Sequence, residues 1–525
     1  MASTDLVEGI SVDSLLEHIQ ILASDDFEGR APGSRGEEKT IEYLTDQFSS
    51  FGLLPGNPDG TWVQKVSLVG ITPVEGSTLT VRTEDQERVF EPGTDYVAWT
   101  KRIVEKVDLS GELVFVGYGA LAPEYEWDDF KGVDVQGKVL LMLVNDPPIE
   151  DIFGGKAMTY YGRWTYKLEV AAELGAEGVF VIHESKLAGY PWEVVGSNPL
   201  SESFDLVTHN RNMDRASVEG WMQVETAKTI FEMAGLDFDE QKSLAAQRTF
   251  QPVSLGLQAE TTIVNTFRSV DSNNFLARLE GKEAPDEVVI YVAHWDHLGV
   301  DPMLTGDQIF NGAADNATGT AGLLELAKAF SLSGERPRRS VVFLAVTAEE
   351  QGLLGSRYYT KSPLYPPGNT VAVINMDVLN TWGRTRDLTV VGMGQSELDQ
   401  VGIDAAGQQG RVLIPDPEPE KGFYYRSDHF SFAKIGVPAF YVDPGVDYIG
   451  KERGYGIRKR EEYSAEDYHR PSDEVKADWD LTGAIEDLDF FYRMGYGLAT
   501  SSDWPVWSET SEFKAIREAQ MKTNR

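Results

Sequence analysis

Apolar residues recur at helix spacing over Val12 to Leu22 and again over Lys39 to Phe51. The two runs predict a pair of surface helices on either side of a turn-rich segment from Gly29 to Gly36. The pattern then turns to short β-type runs at Leu113 to Val116, Val139 to Val144 and Val179 to Ile182. Between the last two, Trp164, Leu168, Ala171 and Leu174 fall on one face of an amphipathic helix over Trp164 to Leu174.

From about Asn274 the rhythm changes to continuous β-branched runs, each followed by a loop and a helical pattern: Val288 to Ala293, Val341 to Val346, Val371 to Met376 and Val437 to Val442. Buried runs alternating with helices predict an α/β fold whose mixed, mainly parallel sheet is sandwiched by helices. A last long helix is expected over Leu481 to Ala499. The chain is too long for one core of ordinary size, so more than one packed unit is expected.

Composition narrows the chemistry. With 84 acidic against 47 basic residues the formal charge is -37, which repels phosphate backbones and anionic lipid and favours solubility in salty surroundings. Nucleic acid is excluded as a partner on this ground, and no apolar run approaches the length of a membrane span. The chain has no cysteine, so any metal site must be built from His and carboxylates. The opening Met1-Ala-Ser-Thr-Asp5 lacks the basic and apolar regions of a signal peptide.

The reactive residues cluster by position. His294 and Asp296 follow the first β-branched run, Glu349 and Glu350 the second, and Asp377 the third. The carboxyl ends of strands are where open α/β sheets bind ligands. Asp315 lies in the glycine-bearing loop Asn311 to Gly319, and His469 in the loop Tyr468-His-Arg-Pro-Ser-Asp473. Two His and three carboxylates without thiolate suit two zinc ions if one carboxylate bridges them. The expected arrangement has Asp315 as the bridge, His294 and Asp377 on one ion, and Glu350 and His469 on the other. A water shared between the ions would be the nucleophile and Glu349 its general base, returning the proton to the leaving amine. Asp296 would hold His294 in the right tautomer, and Tyr468 would stabilise the oxyanion.

At these residues the sequence resembles the M28 family of co-catalytic zinc peptidases. The resemblance rests on Ala293-His-Trp-Asp-His-Leu-Gly299, Asn311 to Gly319, Thr347 to Ser356, Ile374-Asn-Met-Asp377 and Tyr468 to Asp473. It extends to Gly29-Arg-Ala-Pro-Gly33 and Arg426-Ser-Asp-His-Phe430. It implies a zinc exopeptidase fold with an inserted, smaller β-rich protease-associated domain. The catalytic domain would then occupy residues 1–106 and 263–525, and the insertion 107–262, with Tyr161, Arg163, Tyr166 and Lys167 as candidate substrate contacts. It also implies peptide substrates, two Zn2+ ions per chain, and a periplasmic or secreted protein whose signal peptide is absent from this sequence, with a cytoplasmic one as the alternative.

Within that resemblance the first reading is an aminopeptidase, because recognition of a C-terminal carboxylate calls for convergent Arg or Lys and the chain is acidic. A carboxypeptidase or dipeptidase of the glutamate carboxypeptidase type is the alternative, with Lys459-Arg460 as its cationic candidate. A non-catalytic, receptor-like binding protein is the alternative of another class. Taken singly, His-x-Asp is an ordinary surface pair and Glu349-Glu350 an ordinary helix start; only the ordered set points to metal. His297 and His429 are read as hydrogen-bonded or core histidines, His18, His183 and His209 as structural, and Asp428 as a loop-fixing carboxylate. Gly132 to Lys138 lacks the hydroxyl residue of a phosphate loop, and a glycan on Asn316 would block Asp315.

Overall fold

The β-branched runs after Asn274 pair as β1 (Ala284–His294), β2 (Arg339–Val346), β3 (Thr370–Asn375), β4 (Asp387–Val391) and β5 (Ala439–Pro444). In the computed structural model, which describes residues 6–74, 77–149, 152–153, 155–188, 190–196 and 202–523, β1 lies between β2 and β3 and runs parallel to both. Beyond β3 come β5, also parallel, and then β4, antiparallel to β5. On the other side Phe275–Leu279 pairs antiparallel with β2. The sheet is mixed with a parallel centre, as its buried runs predict. The opening Met1–Asp5 lies outside the described residues.

Alternation along β1 sends Val289, Tyr291 and Ala293 into one hydrophobic core and Val288, Ile290 and Val292 into the other. A strand buried on both faces must be apolar throughout, and this one is. The first core is closed by α1 (Val12–Leu22), α2 (Arg35–Ser50), α3 (Thr318–Leu332) and α5 (Thr482–Thr500); α4 (Tyr455–Glu466) precedes the His469 loop. Helix α1 buries Leu15, Ile19 and Leu22, and Ser11 caps it by accepting from the Ser14 amide at 3.2 Å. Such a cap contributes about 1 kcal/mol.

The chain divides into two units. The first holds Met1–Ser67, Val270–Pro417 and Arg426–Arg525; the second holds Leu68–Ser269 and Glu418–Tyr425. The boundaries differ from the expected 107 and 262. Leu79–Arg82 pairs with Gln258 to Glu260, and Tyr96–Trp99 with Glu219 to Met222, so these early strands belong to the second unit through their hydrogen bonds. Local pattern does not report partners more than a hundred residues away. The segment Glu418–Tyr425 joins the same unit, with the Met158 amide donating to the Pro419 carbonyl at 3.0 Å.

Within the second unit, Val139–Leu143, Gly178–His183 and Val218–Gln223 form a parallel set. The helix Trp164–Glu173 buries Leu168 and Ala171 against it, with Trp164 and Leu174 alongside. Lys167, a candidate substrate contact on sequence grounds, is fully buried. Its ammonium donates to the carbonyls of Tyr118, Asn145 and Tyr161, which pins three loops. Replacing Lys167 by Met strands those carbonyls and the nearby carboxyls of Asp129 and Asp146. The variant is expected to lose about 3–5 kcal/mol, the cost of breaking a buried charge pair, read as a lowered midpoint in urea unfolding.

Candidate metal centre

Because β1, β2 and β3 are parallel and in register, their carboxyl ends lie side by side, with His294 opposite Val346 and Val292 opposite Asn375. Residues a step or two past those ends therefore converge. His294 ends β1, fully buried, and its Nε2 lies 3.2 Å from Asp315 Oδ1 and 3.3 Å from Asp377 Oδ1. His469 Nε2 lies 2.8 Å from Glu350 Oε2 and 3.4 Å from Asp315 Oδ2. Asp315 thus turns one oxygen toward each imidazole. All five expected ligands come together, and Glu349 joins them: ligand atoms of His294, Glu349 and Glu350 lie within 4.8 Å of one another.

The supporting contacts are specific. The amides of Ala314 and Asp315 donate to the two oxygens of Asp473, both at 3.0 Å, which holds the aspartate loop from its N–H side. Ser427 donates to Asp377 Oδ2 at 2.7 Å and accepts from Asn375 Nδ2 at 2.8 Å, leaving Asp377 Oδ1 to face His294. His297 Nδ1 contacts Glu350 Oε1 at 2.7 Å, so Glu350 is held between two imidazoles. On sequence grounds His297 is a hydrogen-bonded or core histidine, and its partner, Glu350, is a member of the cluster. Asp473 and Ser427 sit inside motifs singled out from sequence, Tyr468 to Asp473 and Arg426 to Phe430, but motif matching does not say which side chain of a motif reaches the site.

Asp296 departs from expectation. His294 Nδ1 lies 3.1 Å from the main-chain carbonyl of Asp296 and 3.8 Å from its carboxylate. The carboxylate instead accepts the Glu349 amide at 3.0 Å. The main-chain carbonyl at residue 296 fixes the tautomer, and the side chain fixes the turn that carries Glu349. Asp296→Asn keeps an acceptor for that amide, so it is expected to cost no more than about 10–100-fold in activity or metal affinity, measured against Asp296→Ala, which removes the acceptor and costs more. Tyr468 stacks on the His469 ring with centroids 3.8 Å apart and stays 46% exposed.

The carboxyl and imidazole groups of the cluster are strongly perturbed by burial and by one another. Burial pushes the Asp296 carboxyl up to about 8, with Glu350 adding and His294 opposing. Burial likewise raises Glu349 well above the carboxylate range, with His294 opposing and Asp377 and Glu350 adding. Burial would lower His469, yet Glu350 and Asp315 lift it to about 10. Asp296 Oδ2 is buried without a hydrogen-bond partner. Carboxylates packed this closely in low dielectric favour a positive charge among them. The donor set of His nitrogens and carboxylate oxygens fits zinc.

A mainly parallel sheet thus aims two histidines and three carboxylates at one edge, a donor cluster that could hold metal ions. Residues 274–491 match the model of Peptidase family M28. The chain is 31% identical over 146 residues to a protein of Leptosphaeria maculans named "Probable zinc metalloprotease", covering 28% of this chain and 31% of that one. It is 33% identical over 128 residues to Aminopeptidase NAALADL1 of Rattus norvegicus, covering 23% and 16%. The chain thus spans less than a third of the length of these curated relatives. The solved aminopeptidase from Aneurinibacillus sp. strain AM-1 has the same fold, with a TM-score of 0.53 over 94% of this chain and 95% of that one at 20% identity. Among the described residues no helix is long and apolar enough to cross a membrane.

Proposed function

We propose that the chain is a zinc-dependent exopeptidase, an aminopeptidase that releases N-terminal residues from peptides. The observation that carries the reading is Asp315, whose two oxygens face different imidazoles, His294 at 3.2 Å and His469 at 3.4 Å, as a carboxylate shared between two ions must. His294, Asp315 and Asp377 would hold one zinc and Asp315, Glu350 and His469 the other. Two zinc ions bound there would polarise the scissile carbonyl and acidify a water.

Glu349, half-buried beside His294, takes the proton of the attacking water on a carboxylate oxygen and hands it to the leaving amine nitrogen. Its main chain, fixed by Asp296, keeps the carboxylate aimed. Tyr468, exposed at the rim, donates its hydroxyl to the developing oxyanion. The same reading takes the second unit as a protease-associated domain.

A free α-amine is the favoured anchor because the cationic candidates for a carboxylate are engaged elsewhere. Arg460 contacts Asp443 at 3.3 Å and the Pro444 carbonyl at 2.9 Å, and Lys459 pairs with Glu462 at 2.9 Å. The test is hydrolysis of aminoacyl-p-nitroanilides before chelation, after chelation and with zinc restored, alongside peptides blocked at either terminus. Chelator-sensitive cleavage abolished by N-acetylation is expected. Cleavage abolished only by C-amidation would make the chain a carboxypeptidase, and a chelator-sensitive melting temperature with no hydrolysis would make it a binding protein.

A further inference from the structure

We propose that Arg30, contributed by the N-terminal segment outside the family-matched residues 274–491, is a positioning residue of the metal centre that sets the spacing between the His294 and Asp315 loops. The inference rests on the metal reading above.

The guanidinium is fully buried and spends its donors on main chain alone. Nε donates to the Trp295 carbonyl at 2.9 Å, Nη1 to those of Leu22 and Asn311 at 2.7 and 2.6 Å, and Nη2 to that of Gly312 at 2.8 Å. Trp295 directly follows His294, while Asn311 and Gly312 open the loop that delivers Asp315. One planar fork therefore bridges the two ligand loops, and a fork of fixed geometry transmits position where a flexible ammonium does not. The Arg30 carbonyl accepts the His297 amide at 3.3 Å, so main chain and side chain grip the same turn. Asp473 holds the Asp315 loop on its amides, and Arg30 holds it on its carbonyls.

The backbone gives a second, independent indication. Glu28, Gly29 and Arg30 are consecutive left-handed residues, with φ of 48°, 62° and 48°. Non-glycine residues rarely adopt that region and do so where the surroundings over-determine it. At Gly29 a Cβ would come within 2.4 Å of the Gly299 carbonyl and 2.6 Å of that of Phe310, so only glycine lets the segment press this close. Burial lowers the Arg30 pKa to about 10, with Asp473, Asp296, Asp315 and Glu350 opposing, so the guanidinium remains charged at neutral pH.

The experiment measures zinc affinity by competition with a chromophoric chelator, together with the visible spectrum of the cobalt-substituted protein. It uses the full chain and compares wild type, Arg30→Met and Arg30→Lys, with folding checked by circular dichroism. Both variants are expected to fold and to bind zinc about 10–100-fold more weakly, with an altered cobalt spectrum. Lys, keeping the charge without the fork, should fall between Met and wild type. Folded variants with wild-type affinity and spectrum would overturn the proposal, because a merely structural arginine leaves both unmoved. Loss of fold in both variants would also overturn it, making Arg30 a folding element. Failure of the wild type itself to bind zinc would instead sink the metal reading.

Discussion

Glu349→Gln is expected to lower kcat by a factor of about 10²–10⁴, the range for a positioned general base, while zinc content and melting temperature stay at wild-type values. The amide has the shape of the carboxyl and cannot accept the proton of the attacking water. Its neighbours in the cluster are untouched, since Glu350 contacts His297 and His469 and Glu349 is held through its amide by Asp296. KM should change little, because the side chain acts in the transition state more than in binding. Single-turnover hydrolysis with metal analysis of the same sample is the check. Activity within a few-fold of wild type would remove Glu349 from the mechanism.

The second large effect is expected from Asp315→Ala. An oxygen of Asp315 faces each imidazole, so one substitution weakens both positions, whereas His469→Ala leaves the His294 side of Asp315 in place. Zinc bound per chain should fall from two to one or fewer in Asp315→Ala. Activity should drop by about a thousandfold or more, the equivalent of roughly 4 kcal/mol of lost polarisation. Retention of two tightly bound ions by Asp315→Ala, measured by elemental analysis after dialysis, would exclude Asp315 as the shared ligand.

The elements that were legible are those with a local cause. Val12–Leu22 forms the helix its period describes, and β1, β2 and β3 form where β-branched residues run unbroken. The Glu349-Glu350 pair stands in a turn ahead of the helix Leu354–Lys361 rather than at its first residue. The convergence of His294, Asp315, Glu350, Asp377 and His469 was legible because each sits at or just past a strand end or in a glycine- or proline-bearing loop.

What sequence did not carry was partnership at a distance. The second unit begins at Leu68 because its early strands bond to residues beyond 218. Lys167 is a buried pin because three loops fold over it. The support of His294 comes from the Asp296 carbonyl, a main-chain atom that residue type does not announce.

By itself the sequence determined the α/β class, the positions of the strand ends and the types of side chain gathered there, since these follow from local periodicity and composition. Only the tertiary structure decided which oxygen faces which imidazole, that His297 and Ser427 hold Glu350 and Asp377, and that Arg30 reaches two loops more than 260 residues away. Hydrogen bonds are directional and short, so they are set by the packing of segments remote in the chain, and no local pattern records it.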